Sequence, residues 1–520
     1  MNFIEERIKE SGLNNLVFRF PPEPNGYLHL GHAKSICLNF GLAQYDYNAK
    51  CNLRFDDTNP MNDYEKYESA IENDIKWLGY NWDGAPKRAS DYFDTIKDCA
   101  IKLIEKGLAY VDDSTSEELA ALKGTHEKAG TNSPYRTRTV DENLRLFELM
   151  RTGNSTSVLR AKIDMANPNM ILRDPVLYRI VNSKISPMYD FAHPISDYLE
   201  CVTHSLCTLE FEVHRPLYNW VLENLDLEGI LPEQIEFARL NVEYTIMSKR
   251  FLKELVDNGT VTGWDDPRMP TISGLRRRGY TAASIRDFCN VIGYTKKDSR
   301  ISYKLLEECL RTDLNKNASR LMTVLDAVKL TIRNWNKDTE FLTIENNPED
   351  EMAGEREVGF SGNLWIERDD FREAANNKYH RLKLGGEVRL KGAYVVKAVD
   401  VVKDSDGNVI EVICEYDPET KSGLGTNRKI KGTIHWVNRD HCLPVTVREY
   451  DKLFLDIEAT ELNPDTITVK NGYTEINSIA CKIEEAVQFM RLGYYVLDKD
   501  STSENLVFNK TVSLKESFVE

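Results

Sequence analysis

Apolar residues in the first 80 positions alternate between two spacings. Short unbroken runs at 15–20 and 51–55 read as strands buried on both faces. After each run the spacing lengthens to that of a helix. Residues 31–43 form one such stretch. Tyr64, Tyr67, Ile71, Ile75 and Leu78 form the next, closed by Gly79. A further helix is expected over 91–106, with Ile96, Cys99, Leu103 and Ile104 on one face and Gly107 after it. Strand, helix, strand, helix implies a parallel sheet that takes ligands at the carboxyl ends of its strands. Asp56 stands at such an end.

The pattern then changes. Residues 108–185 are more polar and turn-rich, hold one strand candidate at 157–163, and read as an insertion. Residues 186–245 return to apolar, sheet-compatible segments. From 246 to 330 the spacing is helical, with Ile285, Phe288 and Ile292, then Leu305, Leu306, Cys309, Leu310 and Leu314. After 330, alternating β-branched runs dominate, at 387–397, 409–416 and 429–437. Asp404-Ser405-Asp406-Gly407-Asn408 is the hairpin turn between two of them.

A length of 520 residues exceeds what one core can serve, so several domains are expected. No uninterrupted apolar stretch is long enough to cross a bilayer, and the first ten residues are charged with no apolar signal core. The ten cysteines are scattered without a Cys-x-x-Cys pair. Neither a disulfide framework nor a structural metal is expected, and reduced thiols in a cytoplasm fit. The net charge of −16 argues against a polyanion as partner, although a polyanion needs only a local basic track. The densest basic cluster is Arg276-Arg277-Arg278, whose plainest reading is a solvated helix end.

Two short motifs carry chemistry. The first is Pro22-Glu23-Pro24-Asn25-Gly26-Tyr27-Leu28-His29-Leu30-Gly31-His32, between the first strand and its helix. Free N–H groups at a helix start favour an anion, and Gly31 lets a ligand ring approach. His29 and His32 share one side of the first turn, where imidazoles can bond a phosphate whose charge rises during displacement. The second motif is Ile246-Met247-Ser248-Lys249-Arg250, a loop whose ammonium and hydroxyl suit a triphosphate.

Together these motifs resemble the two signatures of class I aminoacyl-tRNA synthetases. Residues 18–34 are similar to the glutaminyl/glutamyl subgroup. Pro187-Met188-Tyr189-Asp190-Phe191 and the stretches 52–60, 203–211, 263–280 and 507–510 resemble its glutaminyl branch. The likeness spans nearly the whole chain. It implies an α/β Rossmann-like catalytic domain in two halves, 1–85 and 187–245. An inserted acceptor-end-binding domain (86–186) would separate them. A helical stem-contact domain (246–330) and two anticodon-binding β-barrels (331–520) would follow.

The resemblance also implies an activity. Glutamine would attack the α-phosphate of ATP, giving glutaminyl-adenylate and diphosphate, and a terminal ribose hydroxyl of the tRNA would then take the glutaminyl group. Mg²⁺ would accompany ATP, and the enzyme would be a cytoplasmic monomer. His29, His32 and Lys249 would be catalytic. Glu23, Pro24, Asn25, Gly31, Ala33, Lys34, Ser35, Ile36, Cys37, Thr208, Arg239, Leu240, Met247 and Ser248 would complete the ATP site with them. Asp56 would hold the glutamine α-amino group and Tyr189 the side-chain amide. Gln488 and Arg491 match anticodon-contacting residues, with Arg356, Arg389 and Lys391 as further candidates.

Each of these residues has a plainer reading. Asp56 could be a turn cap, Tyr189 a packed aromatic and Cys207 a small buried hydrophobe. A glutamate-charging or dual-specificity ligase of the same subgroup is the alternative activity. Glutamate enzymes carry an arginine where this chain has Cys207, and a neutral thiol suits a neutral amide. His193 and His204 receive no role and read as core histidines.

Overall fold

The strand Val17–Phe20 runs into Pro21 and Pro22, which cannot donate to a ladder, so pairing ends there and the chain turns. The computed structural model describes residues 2–59, 64–152, 155–182, 184–376, 378–424 and 429–515; Pro60 of the stretch 52–60 lies outside them. The chain divides into two units, residues 1–241 with 289–300 and residues 242–288 with 301–520.

In the first unit, Val17–Phe20 pairs in parallel with Lys50–Phe55, which pairs in parallel with Lys87–Arg88. A second parallel pair joins His204–Thr208 to Glu233–Phe237. The Thr203 N–H donates to Val17 O at 2.9 Å and sets this pair beside the first. Helices Leu30–Gly41 and Tyr64–Trp77 follow the first two strands, as the periodicity implies. The first gives way to a π-helical turn, Leu42–Asp46. The helix expected from 91 begins as a 3₁₀ turn, Ala89–Tyr92, and continues as Phe93–Glu105.

Between the two strand pairs lies a four-stranded antiparallel sheet of Ala109–Asp112, Val158–Ala161, Val176–Val181 and Lys184–Pro187. Of these, the pattern marked only Val158–Ala161; the rest are short and mixed in polarity. Residues 186–245, expected to be sheet-compatible, also hold the helices Tyr189–Leu199 and Arg215–Asn224. In Tyr189–Leu199 seven consecutive residues, 191–197, are buried. A helix covered nearly all round has no polar face to reveal its period.

In the second unit the helices include Lys249–Asp257, Ile272–Arg277 and Tyr303–Asn317. The strand-rich part begins at Arg320 rather than after 330, and two seven-stranded sheets follow. One contains Ala327–Ile332, Asn363–Glu367, Val395–Lys403 and Val409–Asp417 around Trp436, Phe360 and Leu330. The other contains Cys442–Tyr450, Ile467–Glu475, Gly493–Leu497 and Leu506–Val512 around Phe489, Tyr495 and Phe508. The run at 387–397 is a hairpin rather than one strand: Glu387–Leu390 turns through Gly392, at φ 70°, into Val395–Lys403. The run at 429–437 supplies only Thr433–Ile434 and the start of Val437–Asn438.

The arginine triplet is not a solvated helix end. Arg276 donates twice to Glu484, at 3.0 and 2.8 Å, and Arg277 is bidentate to Asp498, at 2.9 and 3.0 Å. Arg278 donates to Tyr450 O at 3.0 Å. All three partners belong to the C-terminal part of the chain, more than 170 residues away.

Candidate functional site

The first motif builds its own helix start. His29 is the N-cap of Leu30–Gly41. Its Nδ1 accepts from the Gly31 N–H at 3.1 Å, while His32 Nδ1 accepts from the His29 N–H at 3.2 Å. His29 O takes the His32 and Ala33 N–H groups at 2.8 and 3.2 Å. The N–H groups expected to be open to an anion are therefore engaged by His29 itself, because the cap residue bends back over the first turn. The ring centroids lie 3.9 Å apart. A neutral imidazole that accepts at Nδ1 carries its hydrogen at Nε2, so both rings are Nε2–H donors. The anion-binding capacity thus moves from backbone to imidazole.

Around this start, Glu23 and Asn25 are half-buried and Pro24 is buried in the strand-to-helix turn. Gly31 and Ser35 are half-buried; Ala33, Ile36 and Cys37 are buried along the helix. Lys34 is buried too. Its Nζ donates to Ala238 O at 2.9 Å and lies 5.7 and 5.9 Å from the Phe237 and Tyr294 ring centroids. Burial lowers its pKa. Its charge is spent on a carbonyl and two ring faces. Thr208 is the N-cap of the 3₁₀ turn Leu209–Phe211, Leu240 is buried, and exposed Arg239 reaches Glu210 at 3.3 Å.

The amino-acid candidates share the same unit. Asp56 Oδ1 caps a turn, accepting from the Thr58 N–H at 3.2 Å and hydroxyl at 2.7 Å; Oδ2 takes no part in that turn. The Tyr189 ring stacks on His193 at 4.8 Å and leans on Phe211 at 5.2 Å. Burial raises its hydroxyl pKa well above the ordinary value, with Cys207 and Asp56 near enough to add to the rise. Burial also pushes the Cys207 thiol up to about 12. Tyr189 and Cys207 therefore both present neutral groups.

Beneath Tyr189 is a charge network that sequence reasoning missed. Arg54 Nη2 donates to Asp197 Oδ1 at 2.6 Å and Nη1 lies 3.1 Å from Glu200 Oε1. Arg19 contacts Asp197 at 3.4 Å and donates to Leu206 O at 2.7 Å and Ser205 Oγ at 2.6 Å. The His193 ring sits between them, Nε2 2.6 Å from Arg19 Nη2 and Nδ1 3.1 Å from Arg54 Nη2. Tyr218 and Ser205 donate to Asp197 Oδ2 at 2.9 and 2.7 Å. Burial opposes the charge of Asp197, yet the Arg19 and Arg54 guanidinia hold its carboxyl well below the usual range. Burial drives His193 well below its ordinary pKa, so the ring is neutral. Two guanidinia then face two carboxylates, with the Lys87 ammonium 3.9 Å from Glu200 Oε2 at the edge. The available signal was an arginine inside each of two buried strands, Arg19 and Arg54. His204 is a buried core histidine whose Nδ1 meets Thr203 Oγ1 at 3.0 Å.

The second unit carries Lys249 as first residue of the helix Lys249–Asp257. Ser248 holds the N-cap position without a side-chain cap bond, and Met247 is half-buried beside it. Leu252 and Leu255 pack this helix against Met269, Leu453 and Phe454. Among the base-reading candidates, Arg356 is bidentate to Glu475, with Nη2 at 3.1 Å. Arg491 is bidentate to Asp370 at 2.6 and 2.7 Å, and Arg389 donates to Thr420 O at 2.8 Å. Gln488 is buried, one strand away from Arg320, and Lys391 is exposed.

Known proteins resemble nearly all of the chain. The family model "tRNA synthetases class I (E and Q), catalytic domain" matches residues 15–316. Two models for the anti-codon binding domain of the same family match residues 318–417 and 433–498. The glutamine–tRNA ligase of Shigella dysenteriae serotype 1 is 53% identical over 542 aligned positions, covering 99% of this chain and 98% of that one. The glutamine–tRNA ligase of Escherichia coli O157:H7 matches at the same identity and coverage, 53%, 99% and 98%. Among solved structures, the glutamate–tRNA synthetase of Elizabethkingia anophelis is 21% identical with a TM-score of 0.46, over 58% of this chain and 71% of that one.

Proposed function

The chain belongs to the class I tRNA synthetases of the E and Q type, and from that membership we propose that it ligates L-glutamine to its cognate tRNA. Glutamine is activated with ATP, taken as its magnesium complex, and diphosphate leaves; the tRNA then accepts the glutaminyl group and AMP is released. The Nε2–H groups of His29 and His32 donate to the α-phosphate as its charge grows, an interaction strongest in the transition state. The ammonium of Lys249 meets the charge on the departing diphosphate. Asp56 Oδ2 takes the α-ammonium, and the Tyr189 hydroxyl, able to donate and accept, reads the amide.

One observation carries glutamine over glutamate: the cation that bears on Tyr189, Arg19, is already spent. The Arg19 guanidinium is committed to Asp197, Ser205 and Leu206, and Cys207 is a neutral thiol. A γ-carboxylate there would be buried without a partner, which costs several kcal/mol, whereas an amide is not charged. Charging assays with both amino acids, tRNA present, test this. Glutamine is the expected substrate, and charging with glutamate alone would overturn the proposal. The enzyme acts as a cytoplasmic monomer, which sedimentation at the mass of one chain tests.

A further inference from the structure

The helix that carries His32 also carries a buried cation on its far side. Each helical residue turns the chain by about 100°, so Lys34 lies about 200° around the helix from His32 and faces away from the imidazoles. It is only 6% exposed. Its Nζ donates to Ala238 O at 2.9 Å, and the Phe237 and Tyr294 ring centroids lie 5.7 and 5.9 Å away. Those two rings meet edge to face, with centroids 6.2 Å apart at 84°, and form a corner that suits an ammonium.

These contacts join separate parts of the first unit. Phe237 is the last residue of the strand Glu233–Phe237, and Ala238 follows it. The Ala238 N–H donates to Thr295 O at 2.7 Å, so the stretch that supplies the Tyr294 ring also fixes Ala238. That stretch, 289–300, belongs to the same unit as the strand and the Lys34 helix. Ala238 is buried, and a buried carbonyl needs a donor, which Lys34 supplies. The chain then continues into Arg239 and Leu240, which the synthetase resemblance sets in the ATP site with His29 and His32. Lys34 thus bonds the helix of one part of that site to the strand end of another.

Resting on the tRNA-ligase reading above, we propose that Lys34 is a positioning residue of the ATP site and does not touch ATP: its ammonium pins the helix of His29 and His32 to the strand end that leads into Arg239 and Leu240. The imidazoles must meet the α-phosphate where its charge grows, and a displacement of about 1 Å there can cost about a hundredfold in rate. Such a loss falls on the transition state and leaves ground-state binding of ATP nearly intact.

The test compares K34M, K34R and the wild type in charging tRNA with glutamine at varied ATP. K34M keeps the stem and its packing but loses the donor and the charge. It should lose about ten- to hundredfold in kcat, with KM for ATP within about twofold of the wild type. K34R, whose guanidinium can donate to Ala238 O and stack on the rings, should recover kcat to within about fivefold. In an enzyme that already carries H32A, K34M should cost at least about threefold less than it does in the wild type, because Lys34 acts through the imidazoles it places. Should K34M fail to fold, Y294F and Y294L carry the same test: the first keeps the ring and should keep kcat, and the second removes it and should lower kcat at constant KM for ATP. A KM for ATP raised about tenfold in K34M with kcat unchanged would make Lys34 an ATP ligand and overturn the proposal. Wild-type kinetics in K34M, or full additivity of K34M with H32A, would overturn it as well. A wild type that charges tRNA with no amino acid would sink the ligase reading and the role of Lys34 with it, whereas a contrary result confined to the variants strikes Lys34 alone.

Discussion

His29 is asked to do two jobs, and a single substitution can separate them. Its Nδ1 caps the helix Leu30–Gly41 through the Gly31 N–H at 3.1 Å, and its Nε2–H is the proposed donor to phosphate. His29→Ala removes both. Losing an N-cap acceptor costs about 1 kcal/mol of stability, within a range of roughly 0.5–2. Losing one transition-state donor costs about 10²–10³ in kcat, or about 2.7–4 kcal/mol. His29→Asn restores the cap, because asparagine is among the best N-cap residues, but its shorter amide does not place a hydrogen where Nε2 does. Urea unfolding should therefore show H29A weakened by about 1 kcal/mol and H29N within a few tenths of wild type. Steady-state charging should show both variants down by at least about a hundredfold. Recovery of kcat by H29N to within a few-fold would reduce His29 to a cap and refute the reasoning. So would an H29A that unfolds earlier yet turns over normally.

Two further outcomes follow from buried charge. With the Cys207 thiol pushed up to about 12, its thiolate fraction at pH 8 is only about 10⁻⁴, against about a quarter for an ordinary cysteine. Alkylation at pH 8 with peptide mapping should mark exposed Cys201 long before Cys207; equal rates would contradict the neutral pocket. Burial opposes the Asp498 carboxyl while Arg277 secures it, holding it at about 2. A folded value below the unfolded one gives stability that is complete above about pH 4 and lost as pH falls toward 2. Arg277→Ala should flatten that acid limb and cost about 1.5–3 kcal/mol at pH 7, since it removes a bidentate partner of a buried carboxylate and leaves Arg448, 3.6 Å away, as its remaining cation among the described residues. An acid limb identical to the wild type would show that Arg277 does not carry the shift.

What could be read from the chain alone was what neighbours in sequence decide. Helical spacing placed Tyr64–Trp77, and a proline- and glycine-rich turn before two histidines marked the phosphate-facing helix start. A positive-φ glycine at 392 fell inside what looked like one strand, and there the local signal misled because alternation continues on both sides of a tight turn. Tertiary structure decided what depends on residues far apart. Asp197 meets Arg19 and Arg54 across gaps of 178 and 143 residues, so no window along the chain contains the pair. The arginine triplet looked solvated because its carboxylates lie more than 200 residues onward. Even His29, whose type and position were legible, changed meaning: the folded turn shows it closing the backbone donors that the sequence left open. Periodicity and turn chemistry are local, and charge pairing is not; the first gave this protein its motifs, and the second set which charges remain for a substrate.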